Sequence, residues 1–159
     1  MKDYVSNIKN TCSGTIKEVR GLSVVCGIEL KGSNAHIVTL QGNKQEYVVL
    51  SSDFKKVSIH DPKCQEEIKS FRNTLCQHFK EVNANRVGIN ARNLTGEHAG
   101  GAVSFKLEGL IQSCDVPVIL IHPNTVSATL RKHDVSFDAI SPKYLTTPHK
   151  IAFHLLEDE

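Results

Sequence analysis

Apolar and polar residues alternate along residues 22–51, and this period of two predicts β-strands. The first run places Cys26 and Ile28 on one face and Glu29 on the other. The predicted strands cover residues 22–30, 35–40 and 45–51. Because short turns rich in glycine and asparagine separate these runs, we expect an antiparallel meander.

The period changes to three and four residues after Asp61, which is typical of a helix with one apolar face. Asp61 and Pro62 predict its first turn, with a carboxylate cap followed by proline. Further helices are predicted from about Ala99, from Pro123 and around residues 151–156. The segments 86–91 and 116–121 are predicted strands between these helices.

The predicted order of elements is β-β-β-α-β-α-β-α with a further helix at the end. Strands separated by helices need right-handed crossovers and so run parallel. We therefore expect an α/β fold with a mixed five-stranded sheet, three strands antiparallel and then a parallel part, and helices on both faces. Residues 1–21 form a polar extension that we expect to lie outside a single domain of residues 22–159.

Composition excludes few functions in this chain of 159 residues with a formal net charge of +2. That charge is too small to predict nucleic-acid binding by itself and leaves room for a local basic patch. Five cysteines occur without a Cys-x-x-Cys pair, so we expect reduced, buried thiols rather than a zinc site or a disulfide framework. The first residues have no apolar segment like that of a signal peptide, and we expect a cytoplasmic protein without a membrane partner.

Three stretches carry a family resemblance: VCGIELKG at residues 25–32, AGGAVSFKLEGLIQ at 99–112 and HPNTVSATLRK at 122–132. The middle stretch is the most specific, because a double glycine enters an amphipathic helix and Phe-Lys-Leu-Glu follows. From Val24 to about Phe137 the chain resembles a small bacterial family of unknown function in the RuvC-resolvase branch of the ribonuclease H fold. The predicted order of elements agrees with that fold.

The resemblance implies a known chemistry, since resolvases of this branch hold two divalent metal ions on carboxylates at the centre of the sheet. Glu29 matches the acid of the first strand, where the branch usually has aspartate. Ala91 stands where the family typically has glutamate, and residues 147–150 supply no acid at the start of the last helix. Glu97 or Glu108 could substitute only if their side chains turned inward.

Glu29 is therefore the candidate catalytic residue and, if a metal is bound, the candidate metal ligand. The alternative is a strand-end carboxylate that faces solvent or pairs with Lys31. The candidate residues for binding nucleic acid or another anion are Lys31, Arg92, His98, Gly100, Gly101, Arg131 and Lys132. The two glycines either pack a helix start closely on the sheet or expose N–H groups to a phosphate. The cations Arg131 and Lys132 also suit the end of a helix without any ligand.

Three interpretations of function remain open. The first is a RuvC-like module with a degenerate metal site that binds nucleic acid or a partner without efficient catalysis. The second is an active nuclease built around Glu29, which would need Mg²⁺ or Mn²⁺, whereas the first needs no cofactor. The third is a protein–protein adaptor without a nucleic-acid role. Nucleic acid, a protein partner and a second copy of the chain are the partners that we consider.

Overall fold

A computed structural model describes residues 22–50 and 53–159. The predicted extension of residues 1–21 lies outside the described residues, and the domain boundary at residue 21 stays a prediction. The strands are β1 (Val24–Lys31), β2 (Asn34–Gly42), β3 (Tyr47–Leu50), β4 (Lys56–Ser58), β5 (Arg86–Asn90) and β6 (Val118–Ile121). The helices are α1 (Gln65–Glu81), α2 (Ala102–Gln112), α3 (Pro123–His133) and α4 (Thr146–Leu155), with a short 3-10 turn at Lys143–Leu145.

One mixed sheet organises the described residues, with the strand order β3-β2-β1-β5-β6. β1 pairs antiparallel with β2 and parallel with β5, and β6 pairs parallel with β5. This arrangement confirms the predicted mixed α/β fold. The prediction of five strands needs a correction, because β4 also pairs with β2 and gives the sheet six strands. A strand of three residues is too short to show alternation in the sequence.

Helices cover both faces of the sheet, as predicted. On one face, Ile28 packs in a core cluster with side chains of α1 and α2 such as Leu75 and Leu107. On the other face, Val25 packs in a second cluster with side chains of α4 such as Ile151 and Leu155. Both faces of β1 are therefore buried, and β1 is the centre of the fold.

Gly27 allows the backbone of α4 to lie directly on β1. A Cβ atom built on Gly27 would lie 2.0 Å from the carbonyl oxygen of Pro148 and 2.5 Å from the amide nitrogen of Ala152. No side chain fits this space, so only glycine permits so close an approach of helix and strand.

Two predicted helix starts are wrong by about one turn. α1 begins at Gln65, because Asp61 forms a turn instead of a cap: its Oδ1 accepts the N–H of Lys63 at 2.8 Å. α2 begins at Ala102 rather than near Ala99. The start of α3 at Pro123 is confirmed, and the ring of His122 caps it by accepting the N–H of Asn124.

The expectation that all cysteines are reduced is also wrong. Cys76 of α1 and Cys114, just after α2, form a disulfide with their Cα atoms 5.3 Å apart. The two helices pack against the same face of the sheet, and this neighbourhood is not visible from residues 38 positions apart in sequence. Cys26 and Cys64 are free, and Cys26 is buried as predicted.

Candidate functional site at the carboxyl end of the sheet

The parallel strands β1, β5 and β6 all end on one side of the sheet, which we call the carboxyl end. They begin on the opposite side, which we call the amino end. In open α/β sheets, ligands bind outside the carboxyl ends of the strands. Glu29 lies near the end of the central strand β1, at the carboxyl end of the sheet. The candidate site is therefore built outward from Glu29.

Four polar side chains lie side by side across neighbouring strands, and we call them the Glu29 row: Asn90, Glu29, His36 and Lys56. In the strand register, Glu29 is opposite His36, and His36 is opposite Lys56. On the other side, Ile28 pairs with Ile89, which places Glu29 next to Asn90. Because side chains alternate along a strand, Glu29 lies on the same face as Gly27, the face that α4 covers.

Asn90 is the residue of β5 that lies beside Glu29. Its Oδ1 accepts the N–H of Leu30 at 3.3 Å, so its side-chain amide extends the pairing of β1 and β5 by one hydrogen bond. Ala91, the position inferred for the missing acid, instead donates its N–H to the carbonyl of Ile121 at 2.8 Å. The register therefore makes Asn90, and not Ala91, the residue of β5 next to Glu29.

Glu29 is a half-buried carboxylate, and its neighbours stabilise its negative charge only weakly. Its side chain is 22% exposed, and its Oε2 lies 3.9 Å from Nδ1 of His36. Burial raises the pKa of Glu29, and the positive charge of Lys31 opposes that rise. The charged form of a carboxyl group in this setting is less stable than that of an ordinary surface glutamate.

His36 is buried beside Glu29, and its ring centroid lies 4.7 Å from that of Tyr144 in the turn before α4. Burial lowers the pKa of His36, and the charges of Lys56 and Lys31 lower it further. The imidazole is therefore neutral at neutral pH, and the contact with Glu29 is a polar contact rather than a full ion pair. Nδ1 of His36 has no hydrogen-bond partner among the described residues.

The donor groups at the carboxyl end do not fit the metal centre that the resemblance implies. Within residues 22–50 and 53–159, no three His, Cys, Asp or Glu side chains come together as metal ligands. The first turn of α4 has no acidic residue. Glu108 is bonded to Arg92, and Glu97 is exposed in the loop before α2. A pair of divalent ions needs several carboxylate oxygens, and the Glu29 row offers one carboxylate.

The predicted anion-binding residues fall into different environments. Lys31 is exposed at the end of β1, where its charge acts on Glu29. The guanidinium of Arg92 pairs with Glu108 through Nη2 and lies over the ring of Phe105, 4.6 Å from its centroid. Its Nε and Nη1 are buried without a hydrogen-bond partner among the described residues. A Cβ atom on Gly100 would lie 3.0 Å from that same ring, so Gly100 serves close packing.

Gly101 and His98 are placed differently from Arg92. Gly101 is the N-cap of α2, and a Cβ atom there would meet no other atom within 4 Å. His98 is exposed in the same loop. Arg131 and Lys132 lie at the far end of α3, and Nζ of Lys132 is 3.5 Å from Oδ2 of Asp158. The fold thus places Arg131 and Lys132 at the amino end, away from Glu29.

Sequence reasoning missed His36, Lys56 and Asn90. A signal for His36 was present, because Gly32 and Ser33 form a two-residue turn between Lys31 and Asn34. A turn of two residues fixes the register of a hairpin and so predicts that Glu29 faces His36. No comparable signal marks Lys56, whose strand is too short, or Asn90, whose place depends on a long-range crossover.

Solved structures share this fold. A Thermus thermophilus RuvC structure matches with a TM-score of 0.65 and 13% identity, covering 82% of this chain and 92% of that one. T. thermophilus RuvC in complex with Holliday junction substrate matches with a TM-score of 0.62 and 15% identity, covering 83% and 91%. The fold is therefore the ribonuclease H-like fold of RuvC, as the resemblance implied.

Residues 23–154 match the family described as "Protein of unknown function (DUF3010)". The match spans most of the chain, so the chain belongs to that family, and the resemblance to a family of unknown function with a RuvC-like fold is confirmed. No curated protein matches the sequence. Among the described helices, none is both long and apolar enough to cross a membrane.

Proposed function

We propose that the protein binds nucleic acid at the carboxyl end of its sheet and does not cleave it efficiently. The observation that carries this proposal is the Glu29 row with Lys31 beside it. Two exposed lysines, Lys31 and Lys56, flank a single half-buried carboxylate at the end where ligands bind in this kind of sheet.

The class of ligand follows from the fold and the charge together. A RuvC structure with this fold is described in complex with a Holliday junction substrate, which supports nucleic acid as the ligand of a related surface. Lysines at the rim suit phosphate groups, because phosphate contacts supply most of the sequence-independent affinity for nucleic acid. The overall charge of +2 makes a local surface more plausible than binding over the whole molecule.

Inefficient catalysis follows from the donor set. Glu29 has an amide neighbour in Asn90 and a neutral imidazole neighbour in His36, where metal-dependent cleavage needs further carboxylates. A binding module of this kind needs no cofactor. Mg²⁺ or Mn²⁺ enters only with the alternative of an active nuclease around Glu29.

Fluorescence anisotropy with labelled single-stranded, duplex and branched DNA and RNA tests the binding. The variant Lys31→Glu/Lys56→Glu should bind about tenfold more weakly at low salt and reduce the slope of log K against log salt by about 1–2, close to 0.9 for each phosphate contact. The matched control is Lys69→Glu/Lys80→Glu, which makes the same charge change on α1, across the sheet from the Glu29 row.

Three outcomes decide the proposal. If only the Lys31 and Lys56 variant loses affinity, nucleic acid binds at the carboxyl end. If both double variants lose the same affinity, the effect is one of total charge, and the proposed location is wrong. Absence of binding to every probe at low salt would end the nucleic-acid role.

The same probes test the alternative of an active nuclease. Incubation with Mg²⁺ or Mn²⁺ should leave them intact or nearly so. Cleavage that Glu29→Gln abolishes would replace the binding module with an enzyme, because it would make Glu29 essential to a metal-dependent reaction.

A protein partner is the second candidate, and strand β6 is the observation that favours it. β6 ends the strand order of the described sheet, and its residues Ile119 and Leu120 are 41% and 44% exposed. Apolar side chains on an open sheet edge suit pairing with another chain, including a second copy. Light scattering of wild type and Leu120→Lys tests this candidate, since a dimer through β6 should become a monomer in the variant.

A further inference from the structure

A group of basic side chains lies at the amino end of the sheet, opposite the end that holds Glu29. We call it the amino-end cluster: Lys44, Arg86, Lys132 and His133. Asp158 lies within 3.1–3.5 Å of Lys44, Lys132 and His133, measured from carboxylate oxygen to side-chain nitrogen. Oε1 of Glu157 lies 3.5 Å from Nη2 of Arg86. Two neighbouring carboxylates therefore cover the whole cluster.

The covering carboxylates sit on a short exposed segment with a buried anchor. Leu156 is 1% exposed, whereas residues 157–159 are exposed. The carbonyl of Glu157 accepts the N–H of Lys44 at 2.8 Å, and Nζ of Lys44 donates to the carbonyl of Leu156. The anchor holds the backbone in place, while the side chains of Glu157 and Asp158 remain 61% and 58% exposed.

Contacts of this kind are weak enough to exchange. Exposed ion pairs contribute little to stability, and salt screens them. The side chain of Lys132 is 69% exposed, so it can turn to another anion without unfolding any element. A ligand that brings its own negative charge can therefore replace the contact of Lys132 at little cost, whereas Lys44, only 9% exposed and bonded to the carbonyl of Leu156, stays in place.

The arrangement of the cluster suits phosphate. Lys44, Lys132 and His133 converge on Asp158, and the charges of Lys44 and then Lys132 lower its pKa. A phosphate group offers more oxygens than a carboxylate and accepts contacts from several cations at once. Arg131, exposed next to Lys132 in the last turn of α3, adds a further cation at the rim.

We propose that the amino-end cluster is a second phosphate-binding surface for nucleic acid, and that Glu157 and Asp158 occupy it until nucleic acid displaces them. This inference rests on the proposed function for its ligand. β1 spans eight residues, so about 25 Å separate the amino end of the sheet from its carboxyl end. A duplex of about 20 bp is long enough to reach both ends of the sheet.

The test compares two double variants that remove the same charge. Glu157→Gln/Asp158→Asn uncovers the cluster, and Glu66→Gln/Glu81→Gln removes two exposed carboxylates from α1. With a duplex of about 20 bp, the first variant should bind about 3–10-fold more tightly than the second, with a salt slope steeper by about 1–2. Equal affinity of the two variants would overturn the proposal.

A third change locates the gain. Adding Lys132→Glu to Glu157→Gln/Asp158→Asn should remove most of the increase in affinity, because Lys132 is the most exposed cation of the ion pairs in the cluster. An increase that survives this change would place the effect elsewhere and contradict the cluster. Circular dichroism of each variant checks that the fold is retained.

Two further arms separate this inference from the proposed function. Lys31→Glu/Lys56→Glu tests the carboxyl end alone, so its failure leaves the comparison of Glu157→Gln/Asp158→Asn with its control unaffected. Inorganic tripolyphosphate is the probe for a free phosphate ligand. If tripolyphosphate raises the melting temperature of Glu157→Gln/Asp158→Asn while duplex affinity equals that of the control, the cluster binds free polyphosphate and the nucleic-acid proposal is wrong.

Discussion

The two ends of the sheet differ in how their polar groups are matched. At the amino end, carboxylates of residues 157 and 158 meet the cations of the cluster, and the disulfide of Cys76 and Cys114 ties α1 to the segment after α2. At the carboxyl end, Glu29 has a distant imidazole contact and His36 has an unpartnered nitrogen among the described residues. Within residues 22–50 and 53–159, unpartnered nitrogens occur at both ends, on His36 and on Arg86, but only the amino end has several ion pairs and a disulfide.

The two ends also differ in how their surroundings act on a carboxylate. Burial raises the pKa of Glu29, whereas Lys44 and Lys132 lower the pKa of Asp158. A carboxylate that its surroundings disfavour is a feature of functional sites more often than of structural ones. The carboxyl end is therefore the place where a mutation should alter function without loss of the fold.

Gly27→Ala should have the largest effect, because it breaks the packing on which both ends depend. The new methyl group would overlap the backbone of Pro148 and Ala152, and backbone atoms cannot move aside singly. We expect a loss of about 3 kcal/mol or more in the free energy of unfolding. Urea denaturation measures it.

Gly109→Ala is the matched control for Gly27→Ala. Gly109 is exposed in α2, and a Cβ atom there meets no other atom within 4 Å. Alanine should stabilise this helix by up to about 1 kcal/mol. Equal urea midpoints for Gly27→Ala and wild type would contradict the close contact of α4 and β1.

Removal of the disulfide should have the next largest effect and should touch only the amino end. Cys76→Ser/Cys114→Ser releases a loop of 38 positions, and we expect a loss of about 2–4 kcal/mol in stability. Nucleic-acid affinity below the melting transition should stay unchanged. Cys64→Ser, at a free cysteine, is the control. A parallel loss of affinity would show that the disulfide also supports a surface that binds nucleic acid.

Glu29→Gln and Asp158→Asn should shift stability in opposite directions. The raised pKa of Glu29 means that its charge opposes folding, so wild type loses stability relative to Glu29→Gln as the pH rises through that pKa. The lowered pKa of Asp158 means that its charge favours folding, and that contribution is lost as the pH falls.

Melting temperatures measured from acidic to neutral pH test this pair of changes. At neutral pH, Glu29→Gln should melt about 2 °C above wild type, and Asp158→Asn should melt slightly below it. Both differences should shrink toward zero in acid, where the two carboxyl groups are protonated in both states. The same sign for both variants would contradict the contrast between the two ends.

Lys56→Gln should have the smallest effect, a change confined to the Glu29 row. Lys56 lowers the pKa of His36 by charge repulsion, so its removal should raise that pKa. An NMR titration of His36 measures the change, with Lys69→Gln on α1 as the control. No change in Lys56→Gln would mean that the side chain of Lys56 does not point toward the row.

The parts of the fold that depend on neighbouring residues were predictable. Alternation placed Cys26 and Ile28 on one face of β1, and the spacing of Phe71 and Leu75 predicted α1. The start of α1 predicted from Asp61 was wrong, because a carboxylate that begins a turn has the same sequence signature as a helix cap. The disulfide was not predictable, since it depends on how two helices pack.

The candidate site was predictable only in part, for a related reason. Glu29 stands out in sequence as a carboxylate at the end of an apolar strand, and it lies where the resemblance implied. Its neighbours Asn90 and Lys56 come from strands distant in sequence, and register alone brings them together. The sequence predicts Arg92 as an anion-binding residue, but in the folded chain its guanidinium pairs with Glu108 and lies over the ring of Phe105.

The contact of Gly27 with Pro148 and Ala152 has a consequence for the order of folding during synthesis. β1 leaves the ribosome some 120 residues before α4, a delay of roughly 10 s at ordinary rates of translation. Until α4 arrives, the apolar face with Val25, Val38 and Leu40 lacks its cover. The nascent chain therefore exposes this apolar face from the synthesis of β1 until α4 has been made, and the docking of α4 closes the central strand.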